Sequence, residues 1–273
     1  MRFYITFFIT IFCARFAFSQ NPVNQRNQKG KIYAYWGWSN EWYTKSNITF
    51  TGKDYHFTLE KTVAKDRQSP FDFDTYFNPG NVTIPQYNFR LGYFISDKWN
   101  ISIGIDHMKY VMQQNQTVKV TGEIANSYTP YNGVYNHTDI ELTPDFLKFE
   151  HTDGLNYLNS EMRYFSSLAT WNKVQIYYLA GAGIGALVPR TNTTLLNKER
   201  YDEFHLAGYG LGAVAGLNIT FYKYFFIQTE LKSGFINMPD IRTTKFIEDK
   251  AKQHFYFMQH NFVLGAIFPI YKK

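Results

Sequence analysis

The amino-acid sequence predicts an all-β fold: an eight-stranded antiparallel transmembrane β-barrel with short periplasmic turns and long extracellular loops. Three observations predict it. Eight stretches alternate apolar and polar residues with a period of two, and successive side chains of a strand point to opposite faces. The connectors between them are alternately short and long, the order that periplasmic turns and outer loops produce. An export signal precedes them, and the single cysteine, Cys13, falls inside it.

The elements follow in order. In the signal, residues 1–19, Arg2 supplies the positive start, the apolar core runs from Phe3 to Phe12, and Ala17 and Ser19 are the small residues before cleavage. That core is too short to cross a bilayer as a helix, which needs about 20 residues. Phe12 stands where a lipidated cysteine needs a small neighbour, so Cys13 is not read as a lipid anchor. The mature chain then has no cysteine and no disulfide or thiolate chemistry. Residues 20–30 are polar and read as a flexible periplasmic lead-in. Strands are predicted at 31–45, 83–96, 99–112, 156–168, 173–188, 205–220, 224–236 and 255–270, and the barrel domain at 31–273. The short turns are 97–98, 169–172 and 221–223; the long connectors are 46–82, 113–155, 189–204 and 237–254.

Composition agrees with a membrane barrel. The mean hydropathy of −0.35 does not exclude one, because only every second residue of a strand faces lipid. Aromatic residues make up 19% of the chain, and Tyr and Trp favour the membrane boundary. The formal charge is +6, or +4 without Arg2 and Arg15, and no basic cluster points to nucleic acid. Outer-membrane lipid and lipopolysaccharide are the expected surroundings, and a second outer-membrane protein is a candidate partner. No cofactor or metal is expected.

Assigning the apolar face to lipid distinguishes this chain from a soluble barrel, which keeps its apolar side chains inside. The outward set includes Trp36, Trp38, Tyr87, Phe89, Leu91, Ile101, Ile103 and Ile105. The inward set then holds Glu41, Arg90, Asp106, Glu161, Arg163, Glu230 and Lys232, four acids and three bases near mid-height. Charges in a narrow lumen must pair, since a buried unpaired charge is costly. The predicted partners of Arg90 are Glu41, Asp106, Glu161 and Glu230.

On these features the chain resembles the eight-stranded outer-membrane barrels of the OmpA/OmpX/PagL-like superfamily, over residues 31–270. The resemblance implies an interior filled with side chains, not a wide pore. Members usually end on an aromatic residue; here Tyr271 is followed by Lys272 and Lys273. The Phe, Tyr, Asn and Lys usage resembles that of Bacteroidota proteins.

Two further features are candidate sites. Gly181, Gly183 and Gly185 and then Gly208, Gly210, Gly212 and Gly216 form a smooth inward patch. It is either filled from opposite by Tyr35, Phe94 or Arg90, or it is a slot for an acyl chain. His137, Asp139 and Glu141 share one face of an extended segment, but one strand alone makes a poor metal site. None of the seven histidines stands in the H-x-S arrangement associated with the lipid A deacylase branch, and no catalytic residue is assigned. In the first long connector, Ile48 and Phe50 face Tyr55, Phe57 and Leu59 across Gly52-Lys53-Asp54, which predicts a hairpin above the membrane. The aromatics Phe71, Phe73, Tyr76, Phe77, Tyr128, Tyr131 and Tyr135 could pack as a cap or form a contact surface. The expected role is a non-catalytic barrel with a closed polar lumen, acting through its extracellular loops; a lipid A-modifying enzyme and a narrow pore are the alternatives.

Overall fold

The computed structural model describes residues 28–78, 80–81 and 83–270. The expected signal, most of the lead-in, and Tyr271, Lys272 and Lys273 lie outside the described residues. In chain order the elements are β1 (Lys31–Tyr43), β2 (Ser46–Gly52), β3 (Tyr55–Thr62), β4 (Ala64–Lys65), α1 (Phe73–Phe77), β5 (Tyr87–Phe94), β6 (Trp99–Met112) and β7 (Thr117–Ile124). They continue with β8 (Gly133–Glu141), β9 (Leu147–Trp171), β10 (Val174–Leu187), β11 (Asn192–Leu195), β12 (Gly208–Phe221), β13 (Phe225–Arg242) and β14 (Lys250–Pro269).

Strands β1, β5, β6, β9, β10, β12, β13 and β14 are hydrogen-bonded in that order. β14 pairs back onto β1 from Lys31↔Pro269 to Tyr43↔Phe257, which closes an eight-stranded antiparallel ring. Closure leaves no unpaired backbone edge inside a membrane. The periplasmic turns are short: Trp171 pairs with Val174, Phe221 with Phe225, and Ser96 N–H donates to the Trp99 carbonyl at 3.1 Å. The last residues of the predicted lead-in are held, not free. The N–H groups of Gln28 and Lys29 donate to Asp97 Oδ1 at 2.9 and 3.1 Å.

β6 has the predicted bounds. β5 begins at Tyr87, four residues late, just after Pro85, which has no N–H for a ladder. β9, β13 and β14 run past their predicted outer ends, to Leu147, Arg242 and Lys250. Toward the outer ends of the strands the apolar residues change face. On β6, Ile101 and Ile103 point outward, whereas Met108, Tyr110 and Met112 are fully buried inside. On β9, Leu158 and Met162 are exposed, and Leu155, Phe149 and Leu147 are buried. On β14, Leu264 and Phe262 face out, and Phe257 and Phe255 face in. Each strand crosses two solvents. Within the bilayer the apolar side is outside; beyond it, in water, the apolar side must be inside.

That outer inversion builds a second core. The N–H and C=O groups of β14 beyond the ring pair with β2 over Lys250↔Thr51 to Gln253↔Ile48. β3, β7 and β8 extend this sheet in order. The predicted hairpin is β2–β3, with Ile48↔Leu59, Phe50↔Phe57 and Gly52↔Tyr55 in register. Its apolar face joins Met108, Tyr110, Phe146, Phe149, Phe255 and Phe257 in one cluster over the outer mouth of the ring. The connector 113–155 is therefore mostly sheet, and the connector 46–82 contributes β2, β3 and β4 to it.

Candidate functional site

The inward charges meet in the middle of the ring. β9 alternates Asn159, Glu161 and Arg163 into the lumen, and β5, β6 and β13 contribute Arg90, Asp106, Glu230 and Lys232. Glu161 is the hub. It accepts from Arg90 Nη2 at 2.9 Å, Arg163 Nε at 2.6 Å and Lys232 Nζ at 2.7 Å. Arg163 Nη1 also donates to Glu230 Oε1 at 2.6 Å, and Lys232 bonds Asp106. Three cations thus balance three carboxylates, and none of the six residues is more than 4% exposed.

Neutral groups fill the remaining valences, which such burial requires. Tyr35 Oη accepts from Arg90 Nε at 3.0 Å and Arg163 Nη2 at 3.1 Å. Asn88 and Asn159 donate to Asp106 at 2.8 and 2.9 Å. The Lys232 ammonium lies 4.9 Å from the Tyr157 ring centroid. The linking roles of Tyr35 and Asn88 were missed from sequence, although Asn88 sits on the same inward parity as Arg90.

The seventh predicted member stands apart. Glu41 makes no ion pair among the described residues, and Arg90 reaches Glu161 and Asp106 but neither Glu41 nor Glu230. The register explains it. Gln259 lies between Glu41 on β1 and Lys232 on β13, so Glu41 Oε1 meets the Gln259 amide at 2.9 Å.

The glycine wall also differs from expectation. Gly183 pairs with Gly212 and Gly185 with Gly210 across β10 and β12. The space over Gly181, Gly183 and Gly185 is taken by Arg163, Glu161 and Asn159 of the adjacent β9. A Cβ on Gly183 would lie 2.5 Å from Glu161 Cγ, and one on Gly210 2.9 Å from the Tyr157 ring. Gly216 faces Glu230, and Gly208 faces the Asn237 carbonyl. These glycines make room for the charged belt from the side: the groups nearest to them come from the neighbouring strands and not from Tyr35, Phe94 or Arg90, the expected fillers of this space.

Below the belt, Tyr33, Tyr35, Phe94, Phe226, Val263 and Ile267 form a smaller apolar cluster. A cavity of about 20 Å³ lined by Tyr33, Phe165, Tyr177 and Gln228 lies at that periplasmic end, room for roughly one water. The lumen is thus stacked in three layers: aromatic, ionic, then the large apolar cluster at the outer mouth.

Outside the ring, Trp36, Tyr87 and His107 stack as a ladder, with centroids 4.5 and 4.8 Å apart. α1 places Tyr76 and Phe77 against Trp38, at 5.9 and 5.2 Å, so Phe73 and Phe77 sit with the lipid-side aromatics. Tyr131 and Tyr135 pack instead on the outer core, and Tyr128 is fully exposed. His137 and Asp139 do not converge: a bulge opposite Thr121 gives His137 a φ of 50°, its Nδ1 meets Glu60, and Asp139 pairs with Lys119 at 2.8 Å.

Within the outer core, His151 is fully buried and its Nδ1 shares a 2.9 Å hydrogen bond with Thr191. Burial pushes its pKa down to about 3, so it is neutral. At the periplasmic turn, the backbone N–H groups of Lys29 and Gln28 hold the Asp97 carboxyl below its ordinary range.

No protein-family model matches the chain. No curated protein matches it in sequence either. Among solved structures it is similar to the outer membrane protein OprG from Pseudomonas aeruginosa, at 11% identity and a TM-score of 0.39, covering 90% of this chain and 99% of that one. It is also similar to the outer membrane protein AlkL, at 10% identity and a TM-score of 0.42, covering 94% and 99%. The attachment invasion locus protein Ail of Yersinia pestis aligns at 12% identity with a TM-score of 0.29, covering 86% and 99%. The closed ring, the outward apolar band and the buried polar lumen define the class from this chain's own geometry: an integral β-barrel of the outer membrane.

Proposed function

We propose that the chain is a closed, non-catalytic barrel that holds a rigid β-sheet above the outer leaflet for contact with a partner. The observation that carries this reading is the continuity of β14 into β2, β3, β7 and β8 over a buried apolar core. Long ordered loops are usually functional, and here the order is built by the barrel wall itself. β8 is the outer edge of that sheet, and Val134 on it is 81% exposed. Charged residues and the His137 bulge break up this edge, which limits self-association while leaving side chains for recognition.

Catalysis has less support. A base must lie beside a nucleophile that substrate can reach. The His151–Thr191 pair has a hydroxyl beside an imidazole, but both are buried in the outer core. Photo-crosslinking in native membranes tests the proposal. A crosslinker at Tyr128 or Val134 is expected to trap a protein, and one at lipid-facing Ile103 is not. Equal yields at all three positions, or none at the loop positions, contradict it. Lipid A of unchanged mass on expression is the companion expectation; a modified lipid A that reverts in a H151A variant would establish catalysis instead.

A further inference from the structure

The ladder between β6 and β9 is interrupted near the outer mouth. Between Met108↔Leu155 and Tyr110↔His151, the residues Thr152, Asp153 and Gly154 bulge out opposite Lys109 alone. Gly154 takes a φ of 114° there, which glycine adopts freely. The loop after β10 and the segment before β5 close around the bulge. They leave an outward-facing cleft of about 760 Å³ on the barrel wall. Ile84 and Phe204 line it and are each more than half exposed, so the cleft opens where lipid reaches the wall.

Lys109 lines the cleft although it is only 9% exposed. An ammonium has three N–H donors, and here one meets the Ile84 carbonyl at 2.8 Å. Lys109 makes no ion pair among the described residues, although Asp66 and Asp153 lie in its field. A desolvated ammonium so placed is short of a counter-charge. His107 stands two residues away on the same face of β6, roughly 7 Å along the strand. The Asn156 amide nitrogen donates to the Val188 carbonyl at 3.2 Å, so its oxygen takes the proton of His107 Nδ1 at 2.8 Å. His107 Nε2 is then an acceptor, and no described residue bonds it. Arg190 is engaged with Asp153 at 3.5 Å and Asp202 at 3.2 Å, so it adds no free positive charge.

Below this polar head the cleft continues into an apolar trough on the lipid face. Ile105 and Leu158 belong to both. The trough then runs between Leu91, Ile103 and Ile184. Its floor is low because Ser160 and Ala182 carry small side chains. Polar groups above a trough for hydrocarbon match an amphiphile, and the unpaired ammonium calls for an anionic one.

We propose that this cleft seats one molecule of lipid A, the acylated and phosphorylated sugar of the outer leaflet. A phosphate meets Lys109, sugar hydroxyls donate to His107 Nε2 and Asp153, and an acyl chain lies in the trough. The phosphate supplies the missing counter-charge, and a charge-assisted hydrogen bond in a partly desolvated cleft is strong. Phosphatidylethanolamine brings a phosphate and acyl chains but no hydroxyl for His107 or Asp153. The contact lies on the barrel wall, apart from the sheet that faces a partner. It ties the β9 bulge and the segment before β5 to the leaflet.

The test is native mass spectrometry of the full barrel, delipidated in detergent and titrated with bis-phosphorylated lipid A. One lipid A per barrel should be retained, at least about tenfold tighter than phosphatidylethanolamine or dephosphorylated lipid A. Lys109→Gln removes the phosphate contact and Ser160→Phe fills the trough; each should weaken retention by about tenfold or more. Lys252→Gln, at an exposed lysine of β14 outside the cleft, should leave it unchanged. Heat-modified gel mobility reports whether each variant is folded; should Lys109→Gln fail to fold, Ser160→Phe on the exposed wall carries the test. Equal retention of phosphorylated and dephosphorylated lipid A by the wild-type protein overturns the proposal, since only unspecific lipid then coats the wall. Full retention in the folded variants overturns it as well.

Discussion

Ile103 and Met108 lie five residues apart on β6, yet Ile103 exposes 63% of its surface to the membrane side and Met108 exposes none, sealed inside the outer mouth. One strand serves as a membrane strand and then as a strand of a water-soluble core. The same change occurs on β9, β13 and β14, and it encloses the polar belt between two apolar layers.

Arg163 should be among the least replaceable residues in the lumen. It bonds both Glu161 and Glu230, and Arg163→Met leaves both carboxylates short of a cation. Breaking a buried pair in this way costs about 3–5 kcal/mol. The urea midpoint of refolded protein should fall accordingly. Adding Glu230→Gln to the same chain should recover a measurable part of the loss, whereas strict additivity of the two changes would show that they do not interact.

The paired glycines Gly183 and Gly212 should respond differently to the same methyl group. A Cβ on Gly183 meets the Ser160 carbonyl at 2.4 Å and Glu161 at 2.5 Å; on Gly212 the nearest atom is Lys232 Cε at 3.4 Å. Gly183→Ala should destabilise by about 1–3 kcal/mol, as overpacking does. Gly212→Ala should stay near neutral. Equal effects in the unfolding curves would mean that the belt does not press on the β10 wall.

These contrasts show how far the sequence could be read. Period-two alternation placed eight strands and the lipid-facing side of each, because lipid on one side of a strand leaves a plain record. The outer ends of β9, β13 and β14 were not legible, since Phe149, Met238 and Ala251, buried on the inward face, break the lipid-face phase of their strands. A change of phase within one strand is itself a readable signal of leaving the bilayer. The pairing of Glu41 with Asp66 was beyond reach: it depends on how a segment 25 residues later folds back over the mouth.

His151 should make the outer core acid-sensitive. Its native pKa of about 3 lies below the ordinary value of 6.5, so the unfolded chain binds a proton that the native protein refuses. Its contribution is intact above pH 6.5 and declines as pH falls toward 3, by up to about 1.4 kcal/mol per pH unit. Hydrogen exchange of β6 and β9 amides against pH should show that decline, and His151→Gln should flatten it. A slope that is unchanged in the variant would assign it to other groups.

The Asp97 anchor should behave in the same direction at lower pH. Its carboxyl titrates below the ordinary carboxylate range in the folded protein, because it accepts two backbone N–H groups. The contact is present above the ordinary carboxylate pKa and is lost as pH falls through the depressed value. Asp97→Ala should speed amide exchange at Gln28 and Lys29 at neutral pH while leaving the strands protected. Unchanged protection of those two amides would place their anchor elsewhere.

Planar-bilayer recording of the refolded full chain tests the closed lumen most directly. The stacked aromatic, ionic and apolar layers predict no stable ohmic conductance from the wild-type protein. Steady, resolved openings that grow when Arg90 or Glu161 is replaced by alanine would contradict it, and would make the ionic belt the lining of a pore.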